Sequence, residues 1–160
     1  MATTNLSQYD KGKVANAKPY KFGIVVSQWN KHITHALQKG AVDTLIDLGA
    51  EIDNIMIVEV PGSFELIYGA KVIAEECDAV IVIGCVIRGE TAHFDYVCQG
   101  VTQGIKDLNV QQNTPVIFCV LTDKNEQQSL SRSGGEHGNK GVEAAVVAIH
   151  MAVLKNELIR

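Results

Sequence analysis

No apolar run in this 160-residue chain reaches the length of a membrane span. The first 21 residues, Met1 to Lys21, are polar and lack the apolar stretch of a secretory signal. No basic patch is present: the formal net charge is -4 and Lys and Arg are scattered. This argues against nucleic acid as a partner, although an anionic small molecule needs only one or two local cations. Cysteines are few, at 77, 85, 98 and 119, and their spacings match neither a zinc site nor a CxxC pair. The expectation is free thiols and a cytoplasmic location, with Cys85 and Cys119 in or beside apolar runs as buried thiols often are. His32, His35 and His93 show no ligand spacing with nearby Cys or acids, so no metal is expected. A GxGxxG after the first strand, a Walker phosphate loop and a GxSxG elbow are all missing.

What is present is an ordinary globular composition, 46% hydrophobic and 20% charged, at a length that suits one domain. Residues 1–20 read as an N-terminal arm and residues 21–160 as the domain. Phe22–Ser27 is a short apolar run, read as a buried strand. Asn30 can cap the helix that follows. There Ile33, Ala36, Leu37, Ala41, Leu45 and Leu48 recur at helical steps, and Gly49 can end it. The pattern repeats. Strands are expected at 55–60, 79–84 and 115–121, and helices at 64–76, 92–108, 126–132 and 141–158, with a Gly-rich bend at 134–139. Strands alternating with helices predict a parallel sheet with right-handed crossovers. Runs apolar throughout predict helices on both faces. The expected fold is therefore α/β, a three-layer flavodoxin-like sandwich around a four-stranded parallel sheet. In such sheets ligands bind outside the carboxyl ends of the strands.

Four segments fall there. In Cys85 to His93, Gly89, Glu90 and Thr91 lie where a helix should begin, and free amides at a helix start bind phosphate or carboxylate. His93 beside them can shuttle protons; equally, Thr91 can be only a cap and His93 only a surface histidine. Trp29 can stack on a planar heterocycle or simply pack on the first helix. Pro61-Gly-Ser-Phe-Glu65 offers amides, a hydroxyl and a carboxylate; Glu65 can hold polyol hydroxyls or merely favour the helix dipole. The fourth segment is Leu121 to Lys124. Further on, Arg132 and Gly138-Asn-Lys-Gly141 place two cations near the Gly-rich bend.

Taken in order, Trp29-Asn30, Val60-Pro-Gly-Ser-Phe-Glu65, Gly84-Cys-Val-Ile-Arg-Gly-Glu-Thr-Ala-His-Phe94, Pro115-Val-Ile-Phe118, Arg132 and Gly138-Asn-Lys-Gly141 resemble the 6,7-dimethyl-8-ribityllumazine synthase family. The resemblance covers about residue 22 to the C-terminus. It implies condensation of 5-amino-6-(D-ribitylamino)uracil with 3,4-dihydroxy-2-butanone 4-phosphate, giving the lumazine, phosphate and water, without metal or organic cofactor. It further implies Trp29 on the pyrimidine, Asn30 and Glu65 toward the ribityl chain, and backbone contacts from Ser63, Phe64, Cys85, Val86 and Ile87. Gly89, Glu90 and Thr91 would cradle the phosphate and Arg132 would pair with it. His93 would be the proton shuttle, Phe118 would cover the pyrimidine, and Lys140 would stand near the uracil ring.

The same resemblance implies a site shared between neighbours in a homo-pentamer, with Phe118, Arg132 and Lys140 supplied by the adjacent subunit, and association with riboflavin synthase. The short bend before Lys140 leaves room for an icosahedral shell of pentamers, which the Pro19-bearing arm would oppose. Two features depart from the pattern: Glu90 sets a carboxylate at an anion site, and Cys85 stands where a small hydroxyl residue is common. A non-catalytic flavin- or lumazine-binding protein of this fold would be expected to lack His93 or Arg132, and both are present. A purely shell-forming protein would need neither an aromatic nor a phosphate site.

Overall fold

In a computed structural model describing residues 5–158, four strands alternate with helices as the apolar periods predict, and two further short strands precede the fifth helix. Strand β1 (Phe22–Ser27) leads to helix α1 (Lys31–Asp47), β2 (Ile55–Val60) to α2 (Leu66–Ile73), β3 (Ala79–Ile87) to α3 (His93–Gln111), and β4 (Val116–Asp123) to α4 (Glu126–Arg132). A small antiparallel hairpin, β5 (Ser133–Gly135) and β6 (Gly138–Asn139), precedes the last helix α5 (Lys140–Leu158). The first four strands form one parallel sheet in the order β2-β1-β3-β4. Among the described residues no helix is long and apolar enough to cross a membrane.

Alternation along the strands builds two cores. Phe22, Ile24, Val26, Ile81, Ile83 and Cys119 pack beneath α1 and α5. Val25, Val80, Val82 and Val120 pack against α2 and α3. Full burial of each large aliphatic or aromatic side chain stabilises the fold by about 1.5–3 kcal/mol, and the two cores together hold the sheet between its helical layers. All four cysteines are free thiols, and Cys77, Cys85 and Cys119 are buried. Burial pushes the Cys77 thiol up to about 11 and the Cys119 thiol up to about 12, so both behave as small hydrophobes.

Several local expectations need correction. Strand β3 runs three residues past Gly84, because β4 continues alongside it and pairs Ile87 with Asp123. Gly84 is thus a mid-strand glycine. A Cβ there would meet Ser63 Oγ at 2.7 Å and Leu66 Cδ1 at 3.0 Å, so it marks a close approach and not the strand's end. Helix α2 starts at Leu66, which leaves Phe64 and Glu65 in the preceding turn. The Gly-rich bend is the β5–β6 hairpin. Strand β2 is not sandwiched. Among the described residues it pairs only with β1, and Met56 and Ile57 on it are exposed. Its one charged residue, Glu59, is held below the usual carboxylate range, chiefly by a hydrogen bond from Gln28 and then by nearby Lys31.

The N-terminal arm makes a single 3-10 turn at Lys11–Lys13 and buries Ala17, whose N–H donates to Leu48 O. Residues 1–4 of the expected arm lie outside the described residues. Helix α1 ends in a Schellman arrangement: the Ala50 N–H reaches Leu45 O and the Gly49 N–H reaches Ile46 O. Gly49 has φ 104°, and a Cβ there would lie 2.4 Å from Asn16 Oδ1. Gly49→Ala is therefore expected to cost about 1–2 kcal/mol and lower Tm by about 2–8 °C. An unchanged melting curve would contradict this account of the helix end.

Candidate functional site

Between β1 and β3 the sheet reverses its winding, since β1 is followed by β2 on one side while β3 adds on the other. The crevice outside the strands' carboxyl ends at such a point is where a ligand fits. A cavity of about 670 Å³ lies there. Its walls come from the segments after β1, β2 and β3: Trp29 and Asn30; Gly62, Ser63, Phe64 and Glu65; Cys85, Val86 and Ile87. Helix α3 closes it with His93, Tyr96 and Val97.

Asn30 joins two of these segments. It adopts φ 55° in the left-handed region, and its side chain makes no cap hydrogen bond, contrary to the capping expectation. Instead its Nδ2 donates to Cys85 O at 3.0 Å. A short polar residue tolerates this backbone conformation best, and here its amide is spent on bridging β1 to β3. Gly62 permits the opposite wall to close in: a Cβ there would meet Glu65 Oε2 at 2.8 Å and Trp29 Cδ1 at 3.4 Å. Glu65 is exposed and its side chain makes no cap hydrogen bond to α2, so its carboxylate is available to the cavity. Trp29, Phe64 and Tyr96 are 73%, 54% and 72% exposed, which gives the cavity an aromatic rim facing open space.

The loop from β3 to α3 is exposed from Arg88 to His93. Among the described residues the N–H groups of Gly89, Glu90 and Thr91 have no backbone acceptor. A Cβ on Gly89 would meet nothing within 4 Å. Helix α3 starts at His93 with Ala92 at the cap position, while Thr91 Oγ1 accepts from the His93 N–H at 3.4 Å. The loop is stiffened by Arg88, whose guanidinium forks onto the Asp95 carboxylate and lies over the Phe94 ring, 4.3 Å from its centre. The Asp95 hydrogen bond holds Arg88 above its ordinary value, so this cation is already committed within the loop.

Nine of the residues singled out in the sequence thus share one cavity: Trp29, Asn30, Ser63, Phe64, Glu65, Cys85, Val86, Ile87 and His93. Gly89, Glu90 and Thr91 form the loop leading to His93 and do not line it. Phe118 and Lys140 line a different groove of about 360 Å³ along edge strand β4 and α5. Lys140 Nζ donates to Glu143 Oε1 there. Arg132 ends α4, with Nη1 donating to Gln128 O at 2.9 Å. Within one chain these three stand apart from the cavity.

Other contributors were missed. Tyr96 and Val97 sit three and four residues after His93, and that spacing puts them on the same helix face. Asp123 and Ser129 carried no local signal. Both are buried, and they form a directional chain in which Cys85 Sγ donates to Ser129 Oγ at 3.4 Å and Ser129 Oγ donates to Asp123 Oδ2 at 2.8 Å. Burial raises the Cys85 thiol, with the Ser129 contact opposing. The chain fastens α4 beneath the cavity floor.

A family model described as 6,7-dimethyl-8-ribityllumazine synthase matches residues 19–156. Proteins named 6,7-dimethyl-8-ribityllumazine synthase are similar over almost the whole chain. The one from Flavobacterium johnsoniae is 62% identical over 98% of this chain and 85% of its own length. That from Christiangramia forsetii is 60% identical, covering 98% and 96%. That from Porphyromonas gingivalis is 55% identical, covering 97% and 99%.

Removing the Ser129 hydroxyl would strand a buried carboxylate and a buried thiol together. Ser129→Ala is expected to cost about 1–3 kcal/mol in a denaturant titration. A change below about 0.5 kcal/mol, the range of ordinary surface substitutions, would show that the chain of hydrogen bonds carries no stability.

Proposed function

The chain belongs to the 6,7-dimethyl-8-ribityllumazine synthase family, and on that premise we propose how its residues divide the labour of the reaction. The reaction is the condensation of 5-amino-6-(D-ribitylamino)uracil with 3,4-dihydroxy-2-butanone 4-phosphate to 6,7-dimethyl-8-ribityllumazine, a step of riboflavin biosynthesis. The observation that carries the division is the cavity at the sheet's reversal point, which gathers an aromatic rim, a free carboxylate and a histidine.

Trp29 at the rim stacks on the pyrimidine, and Asn30 and Glu65 face the ribityl hydroxyls. The backbone of Ser63 and Phe64, and of Cys85, Val86 and Ile87 along the end of β3, reads the ring edge. The substitution of Cys85 for a hydroxyl residue is harmless on this reading, because its carbonyl is held by Asn30 and its thiol by Ser129. The phosphate of the butanone sits over Gly89, Glu90 and Thr91, whose amides have no backbone acceptor. Glu90 is exposed, so its carboxylate can turn to solvent without opposing the anion.

The chemistry needs orientation and proton transfer. The 5-amino group of the uracil attacks the ketone carbon, and loss of water gives an imine. His93 then takes a proton from the carbon chain as the phosphate leaves, and returns protons as the ribitylamino nitrogen closes the second ring with loss of another water. The nucleophile is already an amine, so His93 speeds steps that proceed slowly without it.

Arg132, Phe118 and Lys140 do not reach this cavity within one chain. They are supplied by the adjacent subunit of a homo-pentamer. Arg132 pairs with the phosphate in a fork, Phe118 covers the pyrimidine and Lys140 stands beside the uracil ring. Apolar exposure of Phe64, Tyr96 and the β2 residues Met56 and Ile57 supports such burial by a neighbour. The free, largely buried thiols fit a reducing cytoplasm.

Mixing the two substrates with the protein should raise lumazine absorbance well above the spontaneous rate; no rise sinks the reading. Arg132→Ala should raise KM for the butanone phosphate by about 10–100-fold, the worth of a charge-assisted hydrogen bond, while KM for the pyrimidine changes far less. Light scattering should give a particle of five chains or a multiple of five. A monomer that retains full activity would overturn the shared site.

A further inference from the structure

We propose that the N-terminal arm is a strap that positions Arg132, acting through the β5–β6 hairpin and touching neither the cavity nor the cation. The proposal rests on the phosphate-binding role of Arg132 given above. The hairpin has three residues in one strand, two in the other and an irregular register, so it has little stability of its own. Arg132 immediately precedes it, at the end of the seven-residue helix α4. A helix that short is not self-supporting; Ser129 ties its middle to Asp123, and the direction of its last residue depends also on what holds the chain beyond it.

The arm holds it. The Leu6 N–H donates to His137 O at 2.8 Å, and the Asn139 N–H donates to Ser7 Oγ at 2.9 Å. The approach is so close that a Cβ on Gly138 would meet Asn5 Oδ1 at 2.2 Å and the Ser7 nitrogen at 2.8 Å. The strap is in turn fastened to the end of α1. Tyr9 Oη donates to Asp47 Oδ2 at 3.1 Å and Lys11 Nζ to Asp47 Oδ1 at 2.8 Å. From the hairpin the hold passes back to α4, because the His137 N–H donates to Ser131 O at 2.8 Å, beside Arg132.

The other end of the hairpin is secured differently. Lys140 begins the 19-residue helix α5, whose Ala144, Ala145 and Ala148 are packed in the core. Loss of the strap should therefore disturb Arg132 more than Lys140, and phosphate binding more than pyrimidine binding.

The test compares the full chain with Ser7→Ala, Ser7→Thr and a deletion of residues 1–9, using amide exchange at Asn139 and KM for each substrate. Ser7→Ala and the deletion should speed Asn139 exchange. They should raise KM for the butanone phosphate by about fivefold or more, the worth of one lost hydrogen bond, with KM for the pyrimidine within about twofold. Ser7→Thr, which keeps the hydroxyl, should behave as the full chain. Unchanged exchange would overturn the strap itself, and faster exchange with equal changes in both KM values would overturn its positioning role. If the deletion does not fold, Ser7→Ala still decides. If the unaltered chain makes no lumazine, the functional reading fails while exchange continues to report on the strap.

Discussion

The side-chain amide of Asn30 donates to the carbonyl of Cys85 across the point where the sheet reverses its order. Among the described residues no other side-chain hydrogen bond joins the segment after β1 to the end of β3, and the cavity opens between them. Asn30 makes this bond from the left-handed region, and its side chain does not cap the helix it precedes. In exchange Trp29, one residue earlier, projects at the rim. A residue without a short polar side chain would lose both the tolerated backbone conformation and the bridge.

Around that bridge the walls are set by missing side chains as much as by present ones. Gly62 admits Trp29 and Glu65, and Gly84 admits Ser63 and Leu66 against the middle of β3. Below the floor, the Cys85–Ser129–Asp123 chain of hydrogen bonds ties β3 to α4 with buried polar groups that satisfy one another. The site is thus held from beneath by polar contacts and shaped from the sides by close packing. Its rim remains open and aromatic.

Much of this was legible in the sequence for a physical reason. Apolar periodicity reports burial, and burial fixes the alternation of strands and helices; the rule that ligands bind at strand carboxyl ends then pointed to Trp29, Glu65 and His93. What escaped were contacts between segments far apart in the chain. Gly84 reads as the end of a strand because its partners Ser63 and Leu66 lie about twenty residues upstream. Asn30 reads as a cap because Cys85 O is 55 residues away. Asp123 and Ser129 have no pattern at all, since a lone buried carboxylate looks like a surface one until its partners are placed. Strand β2 reads as buried because its composition is apolar, while its place at the edge of the sheet leaves part of it uncovered.

That edge has a consequence for the life of the chain before it reaches its final state. Ile55–Val60 is six residues of high β-propensity with one charge, the composition that templates strand-on-strand aggregation when left uncovered. Glu59 is the gatekeeper. Because Gln28 and Lys31 keep its carboxylate ionised to lower pH than a free glutamate, the like charges that would meet when two such edges approach persist into mild acid. The guard depends on β1 and α1 being folded first, since Gln28 and Lys31 flank the turn between them. A chain in which that turn has not formed carries an ordinary glutamate there, whose charge is lost at a higher pH.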